Sequence, residues 1–218
     1  MGQLGYDVAH VLGGAMLLCS FLLLSQRRMS GIIWLLAVQG ALLTLAAAWQ
    51  GWAQGAPHLY GSAGIALVFK AVGIPLALRV ALRRIGDEPE AAMPPMPALL
   101  AGGALVALAI LVALPVSTGS RVLAREDLAI ALSMLLLGLL MMCTRRHALA
   151  QAAGLLSMEN ALMLAAVGAA GMPLVVELSA AGLVLVVAGL AGLFGMRMRE
   201  HVATLDTAVL DTHRGDRR

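Results

Sequence analysis

Seven apolar runs, each about 20 residues long, lie near 5–25, 31–52, 59–82, 97–116, 126–143, 147–169 and 172–196, and they leave this 218-residue chain little room for anything else. At roughly 1.5 Å of rise per residue, a helix of that length crosses the hydrocarbon core of a bilayer. The chain is 61% hydrophobic and 12% charged, too few polar residues to coat a soluble globule of this size, so a bilayer must be the solvent. Aromatic residues are only 4%, while Ala, Leu, Val and Gly fill the runs. That is the composition of closely packed membrane helices, and not of an outer-membrane barrel with aromatic girdles. The expected fold is an all-α integral membrane protein of about seven transmembrane helices.

Basic residues punctuate alternate connections: Arg27 and Arg28, Arg83 and Arg84, Arg145 and Arg146, Arg197 and Arg199. The intervening connections carry no Lys or Arg around Gln54 to His58 or Gly168 to Met172, and in the fourth loop Arg121 and Arg125 are accompanied by Glu126 and Asp127. Positive charge marks the cytoplasmic side, so the N-terminus is expected outside and the C-terminus inside, as an odd helix count requires. The first run has no basic residue before it and two arginines after it, the reverse of a cleavable signal peptide, so it is expected to stay as a helix. A Pro-rich acidic stretch separates three helices from four. The expected organisation is a membrane segment at 1–85, a cytoplasmic linker at 86–97, a four-helix segment at 98–199 and a cytoplasmic tail at 200–218. In the tail, apolar Val202, Leu205, Val209 and Leu210 alternate with polar residues, which suits either a short surface helix or a frayed end. Ala188 with Gly192 and Ala191 with Gly195 fit close packing of the last helix.

An ionisable or amide side chain in hydrocarbon costs at least roughly 2.5–3.5 kcal/mol unless it is paired or hydrated, which singles out Lys70, Glu159, Asn160 and Glu177. Lys70 lies too deep in the third run to snorkel, and five residues on, Pro75 removes a helical donor and weakens the helix. Its two readings are a functional charge and a static ion pair that ties helices together. Glu159, mid-way along the sixth run, is placed either to exchange protons or to be held neutral by a hydrogen bond across a helix pair. Asn160 beside it reads as a packing hydrogen bond. Glu177 sits about one turn into the seventh helix, where a carboxylate can also snorkel or stabilise the helix N-terminus. His10 and Arg79 are close enough to run ends to be solvated, and Gln39 can bond a neighbouring helix. Cys19 and Cys143, far apart in apolar runs and without a CxxC, read as small buried hydrophobes.

The chain has no phosphate-binding glycine loop, no dinucleotide fingerprint and no His pair placed for haem, so no cofactor, redox centre or metal is expected. No nucleic-acid partner is expected either, nor any substrate beyond protons or cations.

From Leu128 to Arg199 the last three helices resemble the small three-helix K component of the NADH-quinone oxidoreductase membrane arm and its relative in multisubunit cation/proton antiporters. The shared features are the tight basic connection Arg145-Arg146-His147, Gly154-Leu155 followed by a carboxylate and Asn160, and Glu177-Leu178-Ser179 followed by a Gly-containing apolar run. In that family two intramembrane glutamates on successive helices belong to a proton path. Glu177 matches directly, whereas the other glutamate would fall at Leu156, so Glu159 is displaced by about one turn along the same face. With extra helices before the K-like half, the whole chain is similar to component E of hydrogenase-4 and formate hydrogenlyase-type complexes. The resemblance implies a non-catalytic, multi-pass subunit of a bacterial inner-membrane complex. Its neighbours would be large antiporter-like subunits and its proton pathway Glu159, Glu177 and Lys70, supported by Asn160. A subunit of a redox-free antiporter and a structural scaffold are the two rival readings.

Overall fold

The computed structural model describes residues 2–85, 94–116 and 122–168. Their elements are helices throughout: α1 (Gly2–Ser25), α2 (Met29–Gln54), α3 (His58–Ile65), a π-helical segment (Ala66–Gly73), α4 (Ile74–Ile85), α5 (Pro95–Val116), α6 (Val122–Thr144) and α7 (Ala148–Gly168). Because α3, the π segment and α4 run on as one rod, these make six helices long and apolar enough to cross a membrane among the described residues. The chain is a multi-pass α-helical membrane protein. The seventh expected span, the small-residue pattern at Ala188 to Gly195 and the tail lie outside the described residues.

Local chemistry sets the ends. α2 stops at Gly55, whose left-handed backbone (φ 63°) lets its own N–H reach the carbonyl of Trp52 and lets Ala56 N–H reach Gly51 at 3.0 Å. Two otherwise orphaned carbonyls are thereby satisfied, and Pro57 then turns the chain into α3. The linker expected over 86–97 ends sooner than its prolines suggest. Pro95 and Pro97 belong to the first turn of α5, where a missing N–H loses no intrahelical bond.

The outward faces are as apolar as the core: Val11, Leu18, Trp34, Leu45, Val68, Leu76, Leu100 and Leu111 are all exposed. Such a surface suits lipid and would aggregate in water. Inside, two apolar layers form. One, towards the end of the bundle that carries Arg27 and Arg28, packs Leu23, Ile32, Leu36, Leu78, Leu137, Met141 and Leu156. The other packs Met16, Leu43, Ala46, Met134, Ala161 and Leu164. Between them, at mid-height, lie the buried polar residues Ser20, Gln39, Lys70, Ser157 and Asn160.

α6 and α7 cross at two glycines. A Cβ on Gly138 would stand 2.9 Å from the carbonyl oxygen of Gly154, and a Cβ on Gly154 would stand 2.9 Å from that of Gly138. In a membrane, where lipid is as apolar as leucine, such backbone-to-backbone approach is a main source of helix association.

The basic connection after α6 departs from its sequence reading. Arg145 does not face water. It is buried and donates from its guanidinium to the carbonyls of Leu23 (3.1 Å), Leu24 (2.9 Å) and Gln26. It thus caps the C-terminus of α1, where orphan carbonyls and the helix dipole favour a cation. Gln151 in turn donates to the Arg145 carbonyl at 2.9 Å. The α1–α2 and α6–α7 connections therefore share one end of the bundle, and Arg146 is exposed there. A second correction concerns Cys143. It is exposed on the outer face of α6, where its apolar neighbours make it look buried in the sequence, and of the two cysteines Cys19 alone is a core residue.

Gly138→Ala is expected to destabilise the bundle by about 1–3 kcal/mol, because backbone atoms of the facing helix would have to move. Gly14 and Gly103 have open space where an added methyl would sit, so Gly14→Ala and Gly103→Ala should leave the melting temperature in detergent unchanged or raised. Equal melting temperatures for all three variants would show that the crossing is not tight.

Candidate functional site

The third span changes its winding just where it places Lys70. Pro75 has no N–H, and its ring would clash with the carbonyl four residues earlier in a regular helix. The chain widens instead: the N–H of Ile74 reaches the carbonyl of Phe69, five residues back. Wide turns of this kind are rare and concentrate at functional sites. Lys70 is buried within the wide stretch, on the same face as Ser62 and Ala66.

α2 approaches this segment backbone to backbone. A Cβ on Gly40 would lie 2.7 Å from the Lys70 carbonyl carbon and 2.9 Å from the Ala71 nitrogen, so only glycine fits. The residue before it, Gln39, then points its amide into the polar layer.

Lys70 Nζ lies 2.6 Å from Glu159 Oε2 and donates to Asn160 Oδ1 at 3.0 Å. Asn160 Nδ2 donates to Gln39 Oε1 at 3.2 Å. Gln39 Nε2 donates to Ser20 Oγ at 3.0 Å and to Ser157 Oγ at 3.2 Å, and Ser20 Oγ passes the chain to the Met16 carbonyl at 3.2 Å. One connected network thus joins α1, α2, the π segment and α7. Its polarity follows from chemistry: an ammonium only donates, so the Asn160 oxygen must face it, and each amide beyond is oriented in the same sense. Glu159 is less enclosed than Lys70, and its second oxygen, Oε1, has no hydrogen-bond partner among the described residues.

Three of the residues singled out in the sequence, Lys70, Glu159 and Asn160, are therefore brought together within one chain, and Glu177 lies outside the described residues. Asn160 does more than pack, since it joins the ammonium to the amide network. Gln39 has a larger part than its sequence reading gives it. Its signal is an amide at the middle of an apolar run followed directly by Gly40, a pair that places a polar group where a neighbouring backbone comes close. Ser20 and Ser157 carry no signal, because serine is common in membrane helices and usually satisfies itself on its own backbone.

No family model matches the chain, and no solved structure matches it. A Mycobacterium tuberculosis protein named as uncharacterized protein Rv0085 is 30% identical over 193 residues, which cover 85% of this chain and 86% of that protein. The chain belongs to the Rv0085 family. The two members match over nearly their full lengths, and a single stretch of that size in this chain takes in every position from Gln39 to Asn160. Gln39, Lys70, Ser157, Glu159 and Asn160 thus lie within the region of likeness to Rv0085.

A charge pair of this kind adds little net stability, because desolvating both groups offsets most of their attraction. Removing one partner is another matter. Lys70→Met, which strands the Glu159 carboxylate, is expected to cost about 3–5 kcal/mol, and the double variant Lys70→Met/Glu159→Leu to recover most of that loss. Thermal unfolding in detergent across the wild type, the two single variants and the double variant gives the coupling, and purely additive losses would mean that the two side chains do not interact.

Proposed function

We propose that this chain is a non-catalytic, proton-coupling subunit in the membrane arm of a bacterial hydrogenase-4/formate hydrogenlyase-type or complex I-like complex. It would sit in the inner membrane beside large antiporter-like subunits, with seven spans, the N-terminus outside and the C-terminus in the cytoplasm. The observation that carries the reading is the Lys70–Glu159 pair, held at mid-height in a bundle that is otherwise apolar, with one carboxylate oxygen free of hydrogen bonds among the described residues. Intramembrane ion pairs of this depth mark ion and proton pathways more often than they serve as struts. The K-like pattern of the last helices and the component E-like whole support the assembly part of the reading, and Glu177 joins the pathway through that resemblance.

In this role the pair works by exchange of partners. A neighbouring charge that draws the Lys70 ammonium towards itself breaks the pair and lets Glu159 exchange a proton. Restoring the contact returns the pair to its resting arrangement, with Asn160 and Gln39 holding the ammonium in register.

A static scaffold is the second reading, and it is favoured by the fact that Gln39, Asn160 and Lys70 are all hydrogen-bonded within the chain. The two readings rank substitutions differently. Gln keeps the shape of Glu159 and most of its hydrogen bonding but removes the exchangeable proton, while Asp keeps the proton and shortens the reach. For proton coupling, the Glu159→Gln complex should assemble and turn over with proton movement reduced severalfold, with Glu159→Asp retaining more activity than Glu159→Gln. The measurement is the proton-to-turnover ratio in membrane vesicles. A wild-type ratio in fully assembled Glu159→Gln complexes would sink the proposal.

The assembly part is tested separately. Affinity purification of the chain from mild detergent should bring down large antiporter-like and hydrogenase-like subunits. Recovery with antiporter subunits alone would favour the redox-free antiporter, and recovery as a lone, stable chain would overturn the assembly.

A further inference from the structure

The polar groups around the Lys70–Glu159 pair differ on its two sides. Beside the pair sits Asn160, and towards the end that carries Arg27, Arg28 and Arg145 come Gln39, Ser20 and Ser157, all joined in one hydrogen-bonded set. Behind them the large side chains of Leu23, Ile32, Leu137 and Met141 are almost wholly buried. Carboxamides donate and accept hydrogen bonds but do not titrate, so a filled amide layer holds a charge without handing on its proton. That side is closed.

Towards the α2–α3 connection the second apolar layer, with Leu43, Met134 and Leu164, fills the middle of the bundle, but beside it the buried face of the third span from Ser62 to Lys70 carries only the small Ser62, Ala63 and Ala66, and Ala47 and Ala63 pack with Val167. Ser62 behaves unlike other helical hydroxyls of the bundle. Ser20, Thr44, Ser133 and Thr144 each donate to the carbonyl four residues back, at 2.7–3.2 Å. Ser62 Oγ is buried, with the residue 2% exposed, and has no hydrogen-bond partner among the described residues. A buried hydroxyl in that condition takes its partner from water, because leaving it dry costs about 1–3 kcal/mol. Ser62 lies one turn in from the start of α3 and two turns from Lys70, about 12 Å along the rod, and at the far end of that distance Glu159 Oε1 is unpartnered in the same sense.

We infer that water reaches the Lys70–Glu159 pair from one side of the membrane only, along the Ser62–Ala66 face of the third span, with the amide layer as the barrier against the other side. The inference rests on the proton-coupling reading and deepens it, naming where the exchanged proton enters and leaves this chain. A file of about three waters spans the distance at hydrogen-bond spacing, with Ser62 anchoring it near the surface and Glu159 Oε1 ending it. For a coupled device the closed side matters as much as the open one, since a path open on both sides would leak.

Single cysteines report on this directly. In the full complex, with Cys19→Ala and Cys143→Ala as background, Ser62→Cys, Ser157→Cys and the apolar-core control Ala153→Cys are exposed in sealed vesicles of known orientation to 2-aminoethyl methanethiosulfonate. Free cysteine is trapped inside to quench leakage. Ser62→Cys is close in shape to the native residue, and Ala66→Cys on the same face serves as reporter if it does not fold. The expected result is labelling at Ser62→Cys at least about tenfold faster than at Ser157→Cys or Ala153→Cys, and only from the membrane side that also labels Gln54→Cys. Labelling at Ser62→Cys as slow as at Ala153→Cys, or equal labelling at Ser157→Cys, would overturn one-sided access. This outcome is separable from failure of the proton role. A wild-type proton ratio in Glu159→Gln removes that role and leaves the labelling pattern intact, whereas a reduced ratio with symmetric labelling removes the one-sided route alone.

Discussion

Hydrocarbon offers no water to complete an unpaired donor, so every polar group that a membrane helix brings inward must find its partner in another helix. In this chain that constraint converges on Gln39. Its oxygen accepts from α7, and its two N–H groups reach α1 and α7, so one side chain fixes the relative height of three spans. The glycine that follows brings α2 against the backbone of the π segment at Lys70. Everything distinctive about the site depends on that contact, because it sets where the ammonium emerges and which amide meets it.

The apolar layers above and below have a different task. They supply most of the packing and none of the specificity, since apolar side chains slide past one another at little cost, and lipid competes with them on nearly equal terms. Directional bonds in a low-dielectric interior penalise any slip of register. The network therefore does two things with the same atoms: it selects one arrangement of the spans, and it keeps a charge at a depth where charge is otherwise expelled.

The spans are legible in the sequence because length and hydropathy are nearly all that a bilayer demands of a helix. Lys70, Glu159 and Asn160 are legible for the converse reason, as violations of that demand. Their pairing is not, because Lys70 and Asn160 are 90 residues apart and Gln39 and Asn160 are 121 apart, and periodicity along one run carries no information about its neighbours. Pro75 announces a disturbed helix without saying that it widens rather than kinks. Arg145 misleads, since an arginine beside a membrane span reads as a topological marker whether it faces the cytoplasm or a helix end. Cys143 misleads in the same way: an apolar run says that a residue is out of water, not whether protein or lipid covers it.

The cap that Arg145 places on α1 ties the earliest span to a residue that is made more than a hundred positions later. Spans leave the ribosome in order, so the final carbonyls of α1 wait through the synthesis of four further spans before their permanent donor arrives, and until then interfacial water must serve them. The first helix is therefore free to tilt and shift in depth during biogenesis and becomes fixed only when the α6–α7 turn docks. Quality control has a natural point of discrimination there. A chain cut short before Arg145 exposes an unfinished helix end at the membrane surface, while a completed one hides it.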